Sequence, residues 1–312
     1  MKASVQSAFP QTMIDAVRRF ADPQIAHDYF AALRWPNGVA CPRACGSVNV
    51  VYMPKHRRWY CRDCQGQFTA KVGTIFEDSP IGFDKWLPAV WLIASNRNGV
   101  SSCEVARALK VTQKTAWFML HRIREAMRDE SFEPFSGPVE ADETYVGGLT
   151  KNMHLRKRAQ MVSRPGVHDK TAIMGIVQRK GRVRAFVIPS ITAKTLQGSI
   201  RKHVKKGEWV YTDGAQAYRG LNDEYEHYTV DHAYEYVRGH VHTNSIEAFW
   251  SVFKRTIKGT YIAPRPRHLQ QYVEEQVFRF NAREMKDGDR VAIALEGAEG
   301  KRLTYKALIA KP

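Results

Sequence analysis

Residues 139–146 read Val-Glu-Ala-Asp-Glu-Thr-Tyr-Val, and Gly147-Gly148 follow at once. Apolar and polar side chains alternate through this run as in a half-buried β-strand, and the two glycines end it. By that alternation Glu140 shares a face with Asp142, and Glu143 does not. On the C-terminal side, Ala172–Gln178 and Val183–Pro189 are two more strands, joined as a hairpin across Arg179-Lys180-Gly181. Lys194–Lys205 reads as a helix, and Glu208-Trp-Val-Tyr-Thr-Asp213 as a short strand that ends on a carboxylate before Gly214. Ser245–Lys258 is helical by its apolar spacing.

Strand, hairpin, helix, strand and a later helix succeed one another in the order of an RNase H-like fold, a mixed central sheet flanked by helices. In such a fold acidic side chains from the first strand, the fourth strand and the later helix meet at one place. The candidates are Asp142, Asp213 and Glu247. Carboxylates so gathered suit two divalent cations roughly 3.5–4 Å apart acting on a phosphodiester. Mg²⁺, or Mn²⁺, is the expected ion, because a hard cation prefers anionic oxygen. The helix allows a check on the third member. At about 100° per residue, Ile246, Phe249, Trp250, Phe253 and Ile257 form one core-facing stripe. Glu247 lies about a quarter-turn from it, and Lys254 lies beside Glu247, within reach of a phosphate. Asn244 projects to nearly the opposite side. Glu140 and Glu143 are neighbours that could stand in for Asp142. His232, His240 and His242 precede the third carboxylate, as helpers at the site or as solvated loop residues.

Four of the five cysteines stand at 41, 45, 61 and 64, as a C-x3-C and a C-x2-C pair fifteen residues apart. That spacing fits two knuckles gripping one tetrahedral, structural Zn²⁺. Val50–Tyr52 and Arg58–Tyr60 are short strands between the pairs, too small to be stable by burial alone. Cys103, inside a helical pattern, is expected to be buried. Farther on, Ser101-x-x-Glu104 is a capping box. Val105, Ala108 and Leu109 supply the apolar side of the helix it opens. Thr112 then caps a second helix, in which Ala116, Met119, Leu120, Ile123 and Met127 recur at helical spacing. Two helices joined by a tight turn, the second basic, form a helix-turn-helix that can enter a major groove.

The charge points the same way. Forty-eight Lys and Arg against thirty-one Asp and Glu leave the chain at +17. Residues 151–206 hold fifteen basic residues and one acidic residue, Asp169. Such a field attracts polyanions, and nucleic acid is the usual one. The candidate phosphate contacts are Lys114, Arg122 and Arg124 on the second helix, Lys157 and Arg158 in the basic stretch, and Lys254 and Arg255 on the later helix. An ordinary composition excludes wholesale disorder and a coiled coil. With no bilayer-length apolar run and no secretory leader pattern, the chain is expected to be cytoplasmic with no membrane partner. The expected division is a helical segment over 1–35, a zinc ribbon over 36–78, a helix-turn-helix region over 79–130, a catalytic domain over 137–285 and a tail over 286–312. Ser131–Pro138 is the expected linker.

The segments RWPNGVACPRACGS, YCRDCQGQFTAKVGTIFEDSPI, KTAWFMLHRIREAM, VEADETYVGG, YTDGAQAY and HTNSIEAFWSVFKRTIKGTY, with the similarity running on through HLQQYVEEQVFRFNARE, resemble those of insertion-sequence transposases of the zinc-ribbon plus DDE (ISXO2-like) family. The likeness covers roughly residues 15 to 285. It implies Mg²⁺-dependent DNA strand cleavage and strand transfer, with Asp142 and Asp213 as the first two catalytic carboxylates. The third falls within NSIEAFWSVFKR, at Glu247 with Lys254 beside it; Asn244 is a rival, since members of the family can use Asn. The implied partners are the element's terminal inverted repeats and target DNA, with a homo-oligomer assembled on them. The C-x3-C knuckle departs from the C-x2-C associated with the family. Two other readings of the residues stand beside this one: a DNA-binding regulator with a decayed catalytic domain, and a nuclease that cuts without joining.

Overall fold

The computed structural model describes residues 10–130, 133–147, 155, 170–230 and 242–310. They fall into two compact units, one of residues 1–128 with 284–312 and one of residues 129–283.

The first unit opens on α1 (Met13–Phe20) and α2 (Pro23–Arg34). Thr12 caps α1; Asp22, followed by Pro23 at the first helical position, caps α2 through Gln24 N and Ile25 N. A three-stranded antiparallel sheet follows: β1 (Val50–Met53), β2 (Arg58–Cys61) and β3 (Gln67–Phe68). Its core is aromatic, with Trp59 between Trp35, Tyr52, Phe68 and the ring of His27. The apolar helix α3 (Phe83–Ser95) is buried nearly all round. The Ser101–Glu104 capping box is formed at the head of α4 (Ser102–Leu109), and Thr112 accepts from Thr115 N at the head of α5 (Gln113–Met127). Val105, Ala116, Met119, Leu120, Ile123 and Met127 are buried as their spacing predicts, whereas Ala108 and Cys103 are exposed.

The segment after residue 285 is not a tail. It forms α9 (Asp287–Glu296) and the short α10 (Tyr305–Ile309), and α9 packs against α3 and α5. The signal is a modest apolar set, Val291, Ala292, Ala294 and Leu295, all buried. The expected linker is also shorter than its composition suggests. Phe135 is buried, and its backbone is hydrogen-bonded to His203 O and Lys205 N.

The second unit is a five-stranded sheet in the order β6 (Val183–Ile188), β5 (Thr171–Gln178), β4 (Val139–Val146), β7 (Trp209–Asp213), β8 (Glu226–Val230). β4, β5 and β6 are antiparallel; β7 runs parallel to β4, and β8 parallel to β7. Helix α6 (Ala193–His203) covers one face through Leu196 and Ile200, against Val139, Ala141, Met174 and Ile176. On the other face α7 (Asn244–Thr256), then a π-helical turn over Ile257–Tyr261, then α8 (Pro266–Asn281) bury Phe249, Trp250, Phe253 and Val273 against Ile173, Val177 and Val183. Truncating one such buried Phe to Ala costs about 3–5 kcal/mol. Gly175 sets how closely α7 approaches: a Cβ there would stand 2.6 Å from Trp250 Cζ2 and 2.7 Å from Ile246 Cδ1.

Candidate active site

β4 and β7 are paired at only two positions, Val139 with Val210 and Glu140 with Tyr211. Beyond that second pair the strands part, and the direction of the sheet changes at this point. Such a switch opens a crevice at the carboxyl ends of parallel strands. Asp142 and Asp213 each lie two residues past the last pair, so both project to the face that α7 covers. On the other side of β4, Asp142 stands opposite Gly175, the residue that lets α7 come close.

Electrostatics register the convergence. The Asp142 carboxyl is pushed up to about 7, first by burial, then by the negative charges of Glu143 and Asp213, with Lys254 opposing. Glu143 is also raised, first by burial and then by Asp213; Tyr218 counteracts by donating its hydroxyl to Glu143 Oε2 at 2.6 Å. Tyr218 is buried, and burial followed by Glu143 holds its phenol far above the ordinary range. Asp213 Oδ1 accepts from Ala215 N at 3.2 Å. A buried carboxyl with like charges beside it is one that a cation would relieve, and hard oxygen donors suit Mg²⁺.

Glu247 sits in the first turn of α7, exposed, its Oε1 accepting from Thr243 Oγ1 at 3.0 Å. Lys254 and Arg255 are exposed in the last turn, and Asn244 is exposed at the first position. Among the described residues only the cysteines bring three or more potential ligand atoms within 4.8 Å of one another. Asp142, Asp213 and Glu247 thus do not form a group whose ligand atoms all lie within 4.8 Å of one another.

Two residues gain a place that the sequence reading did not give them. Glu140, read as a substitute for Asp142, is fully buried with its carboxylate at the head of α7. Tyr218, which contacts Glu143, falls in the stretch after Asp213 where polar Ala-Gln-Ala spacing offers no periodic signal.

The cysteines form a second centre. Cys41 and Cys64 sulfurs are 3.8 Å apart, and those of Cys45 and Cys61 3.7 Å. These are free thiols rather than disulfides, and the spacing is that of tetrahedral sulfurs bound at about 2.3 Å to one zinc. Each knuckle ends on a left-handed residue, Gly46 at φ 55° and Gln65 at φ 56°. The amides of Cys64 and Asp63 help to draw the Cys61 thiol down to about 7, while burial pushes Cys41 up to about 12. A thiol drawn towards thiolate by backbone amides is ready to bind a metal. The longer first knuckle is thus accommodated.

The expected phosphate contacts separate. Lys114 is exposed, its Nζ 4.8 Å from the Tyr305 ring centroid. Arg122 and Arg124 are not surface residues, being 4% and 1% exposed, and this corrects the expectation for both. Arg122 donates to Glu77 O at 2.7 Å and to Leu303 O at 3.0 Å, so its charge serves the interior of the first unit. Helical spacing alone could not show this, because the C-terminal segment that covers the helix carries no motif. Lys157, Arg158, His232 and His240 lie outside the described residues. His242 lies 3.3 Å from Glu140 Oε1.

Known proteins add two kinds of finding. A model of the ISXO2-like transposase domain matches residues 134–281, and one of a transposase zinc-ribbon domain matches residues 23–67. A Halobacterium salinarum protein described as an uncharacterized protein in transposable element ISH50 is 30% identical over 253 residues, 77% of this chain and 84% of that protein. An uncharacterized transposase-like protein of Haemophilus influenzae is 32% identical over 108 residues, 34% of this chain and 87% of that protein. No solved structure matches the chain significantly. With a zinc ribbon and a DDE domain matched in that order, and an insertion-element relative covered over most of its length, the chain belongs to the ISXO2-like transposases of insertion sequences.

Proposed function

We propose that the chain is a DNA transposase that cuts at the ends of its element and joins them to target DNA, at a site made by Asp142, Asp213 and Glu247. The observation that carries this reading is the fork: two carboxylates, each two residues beyond the last β4–β7 pair, with the Asp142 carboxyl held at about 7 by burial first and then by the charges of Glu143 and Asp213. The strand order and the helices on both faces support an RNase H-like domain. The three carboxylates are suited to hold a pair of divalent cations, Mg²⁺ or Mn²⁺. Such a pair, when bound, activates the attacking oxygen and steadies the leaving one.

The chain's own residues do the remainder. Lys254, beside Asp142, is placed to meet the charge of the scissile phosphodiester in the crevice. Water attacks the phosphodiester at the element's end and breaks its P–O3′ bond, leaving a 3′-hydroxyl on the element and a 5′-phosphate on the flank. That hydroxyl then attacks a target phosphodiester in line and displaces the target's 3′-hydroxyl, with no covalent link to protein. Arg255 and Lys114, both exposed, are placed to contact the phosphate backbone, and α4–α5 acts as the helix-turn-helix. The zinc ribbon, held by one Zn²⁺ on Cys41, Cys45, Cys61 and Cys64, serves the same binding, with the protein assembled as a homo-oligomer on DNA.

Asp142→Ala or Asp213→Ala should lower Mg²⁺-dependent cleavage of a supercoiled plasmid carrying the element's ends by at least about 10²–10³-fold, with end binding largely kept. Full cleavage by either variant refutes the site. Joining assayed with pre-cleaved ends separates a transposase from a nuclease that only cuts, and binding without cleavage by the wild type would mark a regulator.

A further inference from the structure

We propose that Glu140 is a positioning residue of this reaction: its buried carboxylate fastens the head of α7 to the root of the β4/β7 fork and so sets how far Glu247 stands from Asp142 and Asp213. The inference rests on the transposase reading and assigns a role that neither the fold nor the three carboxylates require.

Glu140 has no exposed surface. Burying a carboxylate costs several kcal/mol, and an apolar residue of similar size would often hold a core together better. Both of its oxygens are engaged by donors. Oε2 accepts from Ser245 N at 2.7 Å and Ile246 N at 3.1 Å; Oε1 accepts from Arg179 Nε at 2.8 Å and Ser245 Oγ at 3.1 Å. The amides of Ser245 and Ile246 belong to the first turn of α7, where backbone donors have no partner within the helix.

A helix normally receives its cap from the residue just before it. Thr243, at that position, makes no side-chain cap bond to α7. The cap comes instead from β4, 105 positions earlier in the chain. The start of α7 is therefore tied to the strand that carries Asp142.

Arg179 extends the fastening to β7. Its guanidinium carbon lies 3.8 Å from the ring centroid of Tyr211, and Nη2 donates to His242 O at 2.6 Å. Tyr211 is the register partner of Glu140 at the last pair before the fork. One cluster thus joins all three acid-bearing elements at their common root. Asp142 is two residues beyond Glu140, Asp213 two beyond Tyr211, and Glu247 two beyond Ser245. Since about 1 Å of misplacement can cost 10²-fold in rate, a clamp this near the acids has leverage over the chemistry.

The test uses the full-length, zinc-loaded protein, with Mn²⁺ binding followed by electron paramagnetic resonance beside Mn²⁺-dependent cleavage of the plasmid. Glu140→Ala removes both functions of the carboxylate. Glu140→Gln keeps a carbonyl oxygen for the α7 amides and drops the charge that Arg179 meets. Ile200→Ala, buried on α6 across the opposite face of the sheet from α7, is the control for lost stability. Glu140→Ala is expected to weaken Mn²⁺ binding about 10–100-fold, with Glu140→Gln intermediate and Ile200→Ala within about twofold of wild type. Should Glu140→Ala fail to fold, Glu140→Gln against Ile200→Ala decides. Wild-type Mn²⁺ affinity in the Glu140 variants, or an equal loss in Ile200→Ala, overturns the positioning role alone. A wild-type protein that neither binds Mn²⁺ nor cleaves overturns the transposase reading with it.

Discussion

Asp142 is the residue at which the fold stores an electrostatic conflict. Its carboxyl is held at about 7 against an ordinary value of 3.8. The folded state therefore binds a proton that the unfolded chain has lost. That contribution to stability is complete at pH below about 4 and disappears as pH rises through 7. In zinc-loaded, magnesium-free protein, the melting temperature of the catalytic unit should fall between pH 5 and pH 8 more steeply in wild type than in Asp142→Asn. Mg²⁺ should raise the wild-type value at pH 8 and have little effect at pH 5. Melting profiles with the same pH slope in both proteins would show that the conflict is not at Asp142. Cys61 presents the complementary case, a thiol drawn down by the neighbouring Cys64 amide. Bound zinc should measure one per chain and be lost in Cys61→Ala. A structural zinc is worth an apparent 10–16 kcal/mol in small ribbons, so the loss should unfold this sheet rather than loosen it. An ordered ribbon without metal, judged by near-ultraviolet dichroism of its tryptophans, would exclude zinc as its fastening.

At the scale of elements, periodicity reported what packing required and little more. The apolar stripe of α7 was legible because Ile246, Phe249, Trp250 and Phe253 all face the sheet. The same logic misled at α5. Arg122 and Arg124 occupy positions that are outward only if nothing else packs there, and for Arg122 the covering segment is remote in sequence. The head of α7 was illegible for a related reason, since its cap is supplied from β4. The end of α7 holds a feature that no propensity scale anticipates. Its π-helical turn leads to Ile262 at φ 61°, ψ −65°, the centre of a γ-turn closed by Ala263 N to Tyr261 O at 2.7 Å. A β-branched residue there is strained, by about 1–3 kcal/mol, and Ile262 is exposed enough that its side chain returns little of this. Ile262→Gly should accordingly raise the melting temperature of the catalytic unit by a few degrees, at about 2–4 °C per kcal/mol. A lower melting temperature would mean that the side chain contributes more than its backbone costs.

At the scale of the whole chain, the sequence conveyed the order of parts but not how the ends are used. Motifs mark where chemistry or metal is, so the ribbon, the strand acids and the catalytic helix announced themselves. Residues 286–312 have none, yet they complete the first unit. Ile75 N donates to Ala298 O at 3.0 Å, Gly300 N to Gly73 O at 2.9 Å, and Thr74 bridges Glu299. Arg34, whose side chain is only 4% exposed, meets Glu299, and Arg122 reaches Leu303 O. Removing this segment uncovers Val291 and Leu295 partners on α3 and leaves two buried guanidinium groups short of an acceptor, each worth about 1–3 kcal/mol. A chain ending at residue 285 should therefore lose amide protection throughout α3 and α5, while β4 and β5 in the other unit keep theirs. Arg122→Ala should move in the same direction more weakly, lowering stability while leaving the salt dependence of DNA binding unchanged. Lys114→Ala should do the reverse, reducing that salt slope by about one ion, with stability lowered only by the lost contact to the Tyr305 ring, about 0.5–1 kcal/mol. Hydrogen exchange on the truncated chain, together with salt titrations of the two point variants, separates the roles. If truncation leaves α3 protected, the C-terminal helices are accessories and the first unit stands without them. If Arg122→Ala changes the salt slope as Lys114→Ala does, Arg122 reaches DNA despite its burial.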